Sequence, residues 1–187
     1  MLYRGFDAAY PPQEPPPGRR VVLGYIGGAT EHVWTLQEWL RFRALRQFPC
    51  WVADLGADPV SQARQACQTA EHMGWYRDRT RALICDTEAA SDRGWYQSWA
   101  AELTRLGYLE ANYGSAGAPG SPIVEANGSH RIWAAAWDDD PILEGGQLVL
   151  AHQYEAGVPF AGTAIDLSVV SHEMLLLGGG GPRRAQP

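Results

Sequence analysis

The chain has 187 residues, 45% hydrophobic and 19% charged, and 21 acidic against 15 basic side chains give a formal charge of −6. That apolar fraction, with 8 Trp, 8 Tyr and 4 Phe, excludes intrinsic disorder and predicts one core burying roughly 70% of the unfolded surface, without a disulfide or metal staple. The acidic balance, with no arginine cluster interleaved with aromatics, excludes a basic nucleic-acid footprint, and no apolar stretch approaches the ~20 residues of a membrane span.

The first strand-like run is Leu2–Phe6, followed by a connection, Pro11–Arg20, that carries five prolines and no helical pattern. Val21–Ile26 reads as the second strand. Thr35–Gln47 reads as a helix with a Thr cap and Leu36, Trp39, Leu40 and Ala44 on one face. Cys50–Asp54 is the third strand. Val60–Met73 is a second helix, behind an Asp58-Pro59 start that suits a first turn. Ala82–Asp86 is the fourth strand, and Gly94–Leu106 a third helix with Trp95, Trp99, Leu103 and Leu106 on its buried face. Beyond Tyr108–Asn112 the pattern changes: Arg131–Ala136, Leu148–His152 and Thr163–Leu167 are strands joined by bare loops.

Alternating strands and helices predict a parallel sheet built of βα units. Eight strands in 187 residues are short for a full barrel of eight βα units, which takes about 250, so a barrel with several helices removed is expected. Residues 1–177 form this single α/β domain, and 178–187, four glycines followed by Pro-Arg-Arg, read as a flexible tail.

All 15 basic side chains are arginine, which reads as the codon bias of a high-GC bacterial or phage genome. Three cysteines, Cys50, Cys67 and Cys85, are an odd number without CxxC spacing, which argues against a disulfide framework and a zinc site. The start MLYRGFDAAY lacks the charged and apolar regions of a signal peptide, so synthesis in the cytoplasm is expected.

In a parallel barrel, reactive groups come from the C-terminal strand ends. Here those ends carry Asp7, Asp86-Thr87-Glu88, Asn112-Tyr113, Trp137-Asp138, Gln153-Tyr154 and Asp166. Asp86 and Glu88 are two apart and share a strand face with Ala82 and Ile84, while Leu83 and Cys85 point to the helix layer. Two close carboxylates on an apolar strand repel, which raises one pKa and makes a general acid. Such a pair suits glycoside hydrolysis; it equally suits a solvated loop or a cap for the helix at Gly94.

GFDAAY at the start, YIGG at 25–28, ICDTEAA at 84–90, NYGS at 112–115, IWAAAW at 132–137, HQYEAG at 152–157 and AIDLSVV at 164–170 follow one another in an order that resembles the family-25 glycoside hydrolases, the lysozyme-type muramidases. The YIGG and YGS elements are similar to the glycoside-hydrolase-like domain of unknown function 1906. The resemblance covers nearly the whole chain to Ser171 and implies a compact TIM-barrel-like (β/α)5β3 barrel. It implies cleavage of peptidoglycan between N-acetylmuramic acid and N-acetylglucosamine, with no cofactor and no metal. By position it makes Glu88 the general acid and gives Asp86 the task of orienting the acetamido group or stabilising positive charge. Asp7 and Asp166 line the floor and hold the network, and Tyr113 hydrogen-bonds near the reacting sugar; Trp137, Gln153 and Tyr154, at the strand ends, are the other substrate-binding candidates. The sequence departs from the family at Ala9, where a Ser is usual, at His152, where an aromatic is usual, and at Pro11–Pro17, which replaces the first helix.

Trp137 suits stacking on a sugar, and equally barrel packing. Trp95 and Trp99, at helical spacing, read as core. Trp34 and His32 are candidates for a rim, and His152 reads as a satisfied core histidine. Asp138–Asp140 lacks the glycine and distal glutamate of a calcium loop, and Asn127-Gly128-Ser129 matches a glycosylation sequon. The expected partner is cell-wall glycan, with neither nucleic acid nor membrane, and the site of action is the cell wall, for a phage- or prophage-encoded protein within a larger assembly. The alternative function is a non-catalytic glycan-binding or structural barrel of a phage tail or cell-wall assembly.

Overall fold

In a computed structural model, which describes residues 1–87, 92–115, 127–143 and 149–179, each of the eight strand-like runs forms a strand. They are β1 (Leu2–Asp7), β2 (Val21–Gly28), β3 (Arg46–Val52), β4 (Ala82–Asp86), β5 (Leu109–Ser115), β6 (Ile132–Ala135), β7 (Val149–Phe160) and β8 (Thr163–Ser171), closed in that order into a barrel. β1 to β7 pair in parallel, while β8 is antiparallel to both β7 and β1. The helices among the described residues are α1 (Leu36–Arg41), α2 (Pro59–His72), α3 (Arg93–Arg105) and α4 (His172–Leu177). The chain is thus a single TIM-barrel-like α/β domain, and none of these helices is long and apolar enough to cross a membrane.

The reversed β8 corrects the all-parallel expectation in one respect that matters. β7 and β8 form a long hairpin turning at Ala161-Gly162, both with positive φ (46° and 84°), the geometry of a type I′ turn. Asp166 therefore comes early in β8 and reaches the barrel mouth because its strand runs back toward the floor, opposite Asp7 of β1.

Helix starts follow local chemistry. Thr35 and Glu38 make a reciprocal capping box on α1. Asp58 caps α2 with Pro59 in its first turn, and Asp92 caps α3. α1 ends at Arg41, short of the predicted Gln47, because Phe48 and Cys50 are needed inside the barrel and β3 pairs from Arg46 onward. Strand pairing on both edges outweighs the helical pattern here. α4 is not legible as a helix in the sequence; Ser171 caps it, and it inserts Met174 into the barrel floor.

The core has two layers set by strand alternation. Inside the barrel lie Leu23, Phe48, Ile84, Trp133, Val170 and Met174, with the Trp133 indole N–H donating to Ser168 Oγ at 3.2 Å. Between sheet and helices lie Phe6, Trp34, Trp39, Phe42, Leu83 and Trp99. Gly24 on β2 leaves room for this outer layer: a Cβ there would meet Trp34 at 2.8 Å and Trp39 at 2.9 Å. Aromatic packing thus covers a part of the sheet where the proline-rich connection supplies no helix. Full burial of each such side chain contributes about 1.5–3 kcal/mol. Of the expected tail, Gly178 closes α4 and the Gly179 carbonyl accepts from Gln47 N–H at 2.7 Å; residues 180–187 lie outside the described residues.

Candidate active site

β1 alternates Gly5 inward, Phe6 outward and Asp7 inward, and β8 puts Asp166 directly across the ladder from Asp7. Both carboxylates therefore enter the lumen at one mouth. Asp86 ends β4 on the face shared with Ala82 and Ile84, and is buried. Leu83 and Cys85 lie in the outer layer, as the alternation predicts.

Gln153 joins the two sides of this mouth. Its Nε2 donates to Asp7 Oδ1 and Oδ2 at 3.1 and 3.3 Å, and its Oε1 accepts from Tyr113 Oη at 2.7 Å and Trp137 Nε1 at 3.0 Å. Tyr25 Oη donates to Asp7 Oδ2 at 3.3 Å. Burial raises the Asp166 carboxyl above its ordinary value, opposed by hydrogen bonds from the Gly157 backbone N–H and the Gln153 amide. Two carboxylates side by side are thus placed in different environments, an arrangement able to divide acid and base work.

A second network fixes the end of β4. Asn112 Nδ2 faces the Cys85 carbonyl and Thr87 Oγ1, each at 2.9 Å, and Asn127 Nδ2 donates to Thr87 Oγ1 at 3.1 Å and Asn112 Oδ1 at 2.9 Å. Thr87 N–H donates to the Tyr113 carbonyl at 2.9 Å. All of these side chains are buried, so the residue preceding Glu88 is held from two other elements. Glu88 itself lies outside the described residues.

Of the residues singled out from the sequence, the fold brings Asp7, Asp86, Asp166, Tyr113, Gln153 and Trp137 to one mouth. Trp137, 49% exposed at a positive φ of 50°, has its indole tethered to Gln153 and its ring open to solvent. Tyr154 is not brought there. With Gln153 pointing inward, Tyr154 points outward and joins the apolar layer behind the sheet. Trp34 is also core rather than rim, its indole donating to the Ala8 carbonyl at 3.1 Å. His32 does sit on the rim, stacked on Tyr10 at 4.8 Å. Trp95 and Trp99 are core. His152 is buried between the Ile142 carbonyl at Nδ1 and Asp138, 3.6 Å from Nε2. Asn127, the sequon asparagine, is buried with its amide committed to hydrogen bonds, which removes it as a glycosylation acceptor. The three cysteines are buried and free; burial pushes the Cys67 thiol up to about 12.

Tyr25, read from the sequence only as part of the YIGG run, and Asn127, read only as a sequon asparagine, both belong to the site's framework. Tyr25 carries a usable signal, since it is two residues on from inward-facing Leu23 and shares its face. Asn127 carries none, because a residue in the connection between β5 and β6 gains its role only through closure around Thr87.

No protein-family model matches the chain, and no curated protein matches it by sequence. Solved structures do. An uncharacterized B. stearothermophilus protein is 18% identical, with a TM-score of 0.73 over 95% of this chain and 100% of that one. A family 25 glycosyl hydrolase from Bacillus anthracis is 14% identical, with a TM-score of 0.60 over 90% and 88%. The modular autolysin LytC from Streptococcus pneumoniae is 11% identical, with a TM-score of 0.67 over 90% of this chain and 46% of that one. The chain therefore has a fold like that of the family-25 glycosyl hydrolases, a glycoside-hydrolase-like barrel.

Proposed function

We propose that the protein cleaves the glycan strand of peptidoglycan, as a muramidase-type glycoside hydrolase acting through carboxylic-acid catalysis. The observation that carries this reading is the convergence of Asp7, Asp86 and Asp166 at one barrel mouth, with Gln153 hydrogen-bonded to Asp7, Tyr113 and Trp137. The names of two structural neighbours, a family 25 glycosyl hydrolase and an autolysin, agree with it. In this reading Glu88, the residue after the clamped Thr87, protonates the glycosidic oxygen. Asp86 orients the acetamido group or stabilises the positive charge developing at the sugar carbon. Asp7 and Asp166 hold the hydrogen-bond network at the mouth, Tyr113 and Gln153 position the reacting sugar, and Trp137 stacks on an apolar pyranose face. Tyr154 takes no part, and the site of action is the cell wall.

The deciding experiment incubates the protein with purified peptidoglycan and measures reducing ends released across pH ~4–8, a range beginning near the ~4.3 ordinary value of Glu. Release that rises and falls with pH supports catalysis; binding with no release at any pH overturns it.

One observation favours a second reading, a glycan-binding module without catalysis. The open, tethered ring of Trp137 serves as a stacking platform whether or not a proton moves. Affinity would then fall on Trp137→Ala and ignore Glu88→Gln.

A further inference from the structure

Beside the mouth, a cavity of about 410 Å³ lies between the tip of the β7–β8 hairpin and the loop after β1, lined by Tyr10, Pro11, Gln13, Glu38, Gly162 and Thr163. Its volume falls in the usual range for small-ligand sites. Its walls are fixed from three directions. Trp34 Nε1 donates to the Ala8 carbonyl at 3.1 Å, Thr163 Oγ1 to the Tyr10 carbonyl at 2.9 Å, and Arg41 Nη1 to the Pro12 carbonyl at 2.8 Å. The loop is therefore ordered before any ligand arrives, which lowers the cost of binding.

Tyr10 is 53% exposed, yet His32 stacks against its ring with an interplanar angle of 26°. An aromatic ring backed on one side and open on the other is a platform for an apolar ring face. Glu38 beside it is held ionised: burial alone would raise its carboxyl, but the Thr35 N–H, the Thr35 hydroxyl and the neighbouring His32 bring it below the ordinary value. A carboxylate, the Gln13 amide and the Thr163 hydroxyl accept from or donate to hydroxyl and amide groups, and the carboxylate disfavours an anion. One apolar face with neutral polar substituents at its edge describes an uncharged hexosamine. Thr163 is three residues from Asp166 along β8, a backbone rise of ~10 Å at ~3.3 Å per residue, with the two side chains on opposite faces of the strand, so the cavity lies outside the sheet at the same end of the barrel as the mouth.

We propose that the Tyr10 cavity is a second glycan-binding site, taking an N-acetylglucosamine-type residue of the same strand that crosses the mouth. This rests on the glycan reading above. It makes the hairpin tip and the β1 loop determinants of the strand length the protein prefers.

The test uses soluble glycan strands freed of stem peptides, added to isotope-labelled protein in a Glu88→Gln background so that no strand is cut. The Trp137 indole N–H reports on the mouth, and the Gly162 and Thr163 amides report on the cavity. Both sets of signals are expected to shift, with Tyr10→Ala weakening affinity roughly three- to tenfold and silencing the cavity signals. Tyr10→Phe keeps the ring and is expected to bind like the parent. If Trp137 responds while the cavity amides stay still, or if Tyr10→Ala binds as tightly as the parent, the cavity proposal is overturned and the glycan reading stands. If neither set responds, both are overturned.

Discussion

The Nε2 amide of Gln153 donates to both carboxylate oxygens of Asp7, joining residues 146 apart in the chain. The same side chain accepts from Tyr113 and Trp137, so its removal takes a hydrogen bond from three side chains at once, two of them, Asp7 and Tyr113, buried. Gln153→Leu is expected to cost at least about 1–3 kcal/mol in urea unfolding, the penalty for leaving one such group unsatisfied. A variant as stable as the parent would show that these hydrogen bonds do not hold the mouth together.

Glu88→Gln keeps the side chain's shape but cannot deliver a proton. Peptidoglycan cleavage is expected to fall ~10²–10⁴-fold with an unchanged circular dichroism spectrum. Cleavage at the parental rate would remove Glu88 as the acid.

Gly28 ends β2 at a φ of 88°, and a Cβ there would sit 1.8 Å from the Val52 carbonyl oxygen. Backbone cannot yield as a flexible side chain does, so Gly28→Ala is expected to cost ~3 kcal/mol or more. Gly74, after α2, has a similar φ of 83° with nothing within 4 Å, so Gly74→Ala should pay only the left-handed backbone term, ~1–2 kcal/mol. Equal losses from the two variants, read by thermal unfolding, would refute the steric account of Gly28.

Glu102 on α3 accepts from Arg105 Nε and Nη2 and from Arg64 Nε of α2, each at 2.7 Å. These hydrogen bonds outweigh burial and hold its carboxyl down to about 2 from an ordinary 4.5. A depressed carboxyl stabilises the fold above its unfolded value and loses that contribution as pH falls toward the folded one. The stability difference between parent and Glu102→Gln should therefore be full near neutrality and shrink between pH 4.5 and about 2. A difference independent of pH across that window would show that the ion pairs are not its source.

The features legible from neighbouring residues are local. Alternation placed Asp86 with Ala82 and Ile84 and set Leu83 and Cys85 against the helices, because successive strand side chains point to opposite faces. Asp58-Pro59 marked the start of α2, because a capping carboxylate and a preset φ act within one turn. Strand count and order were legible for the same reason. Other features depend on contacts between distant segments. The reversed direction of β8 brings Asp166 opposite Asp7, and alternation from an inward Gln153 turns Tyr154 away from the mouth. α1 stops at Arg41 because β3 gains pairing on both edges, and Asn127 matters only because the barrel closes it onto Thr87. Those outcomes are settled by which buried polar groups find partners across the chain, and no window of neighbouring residues contains that information.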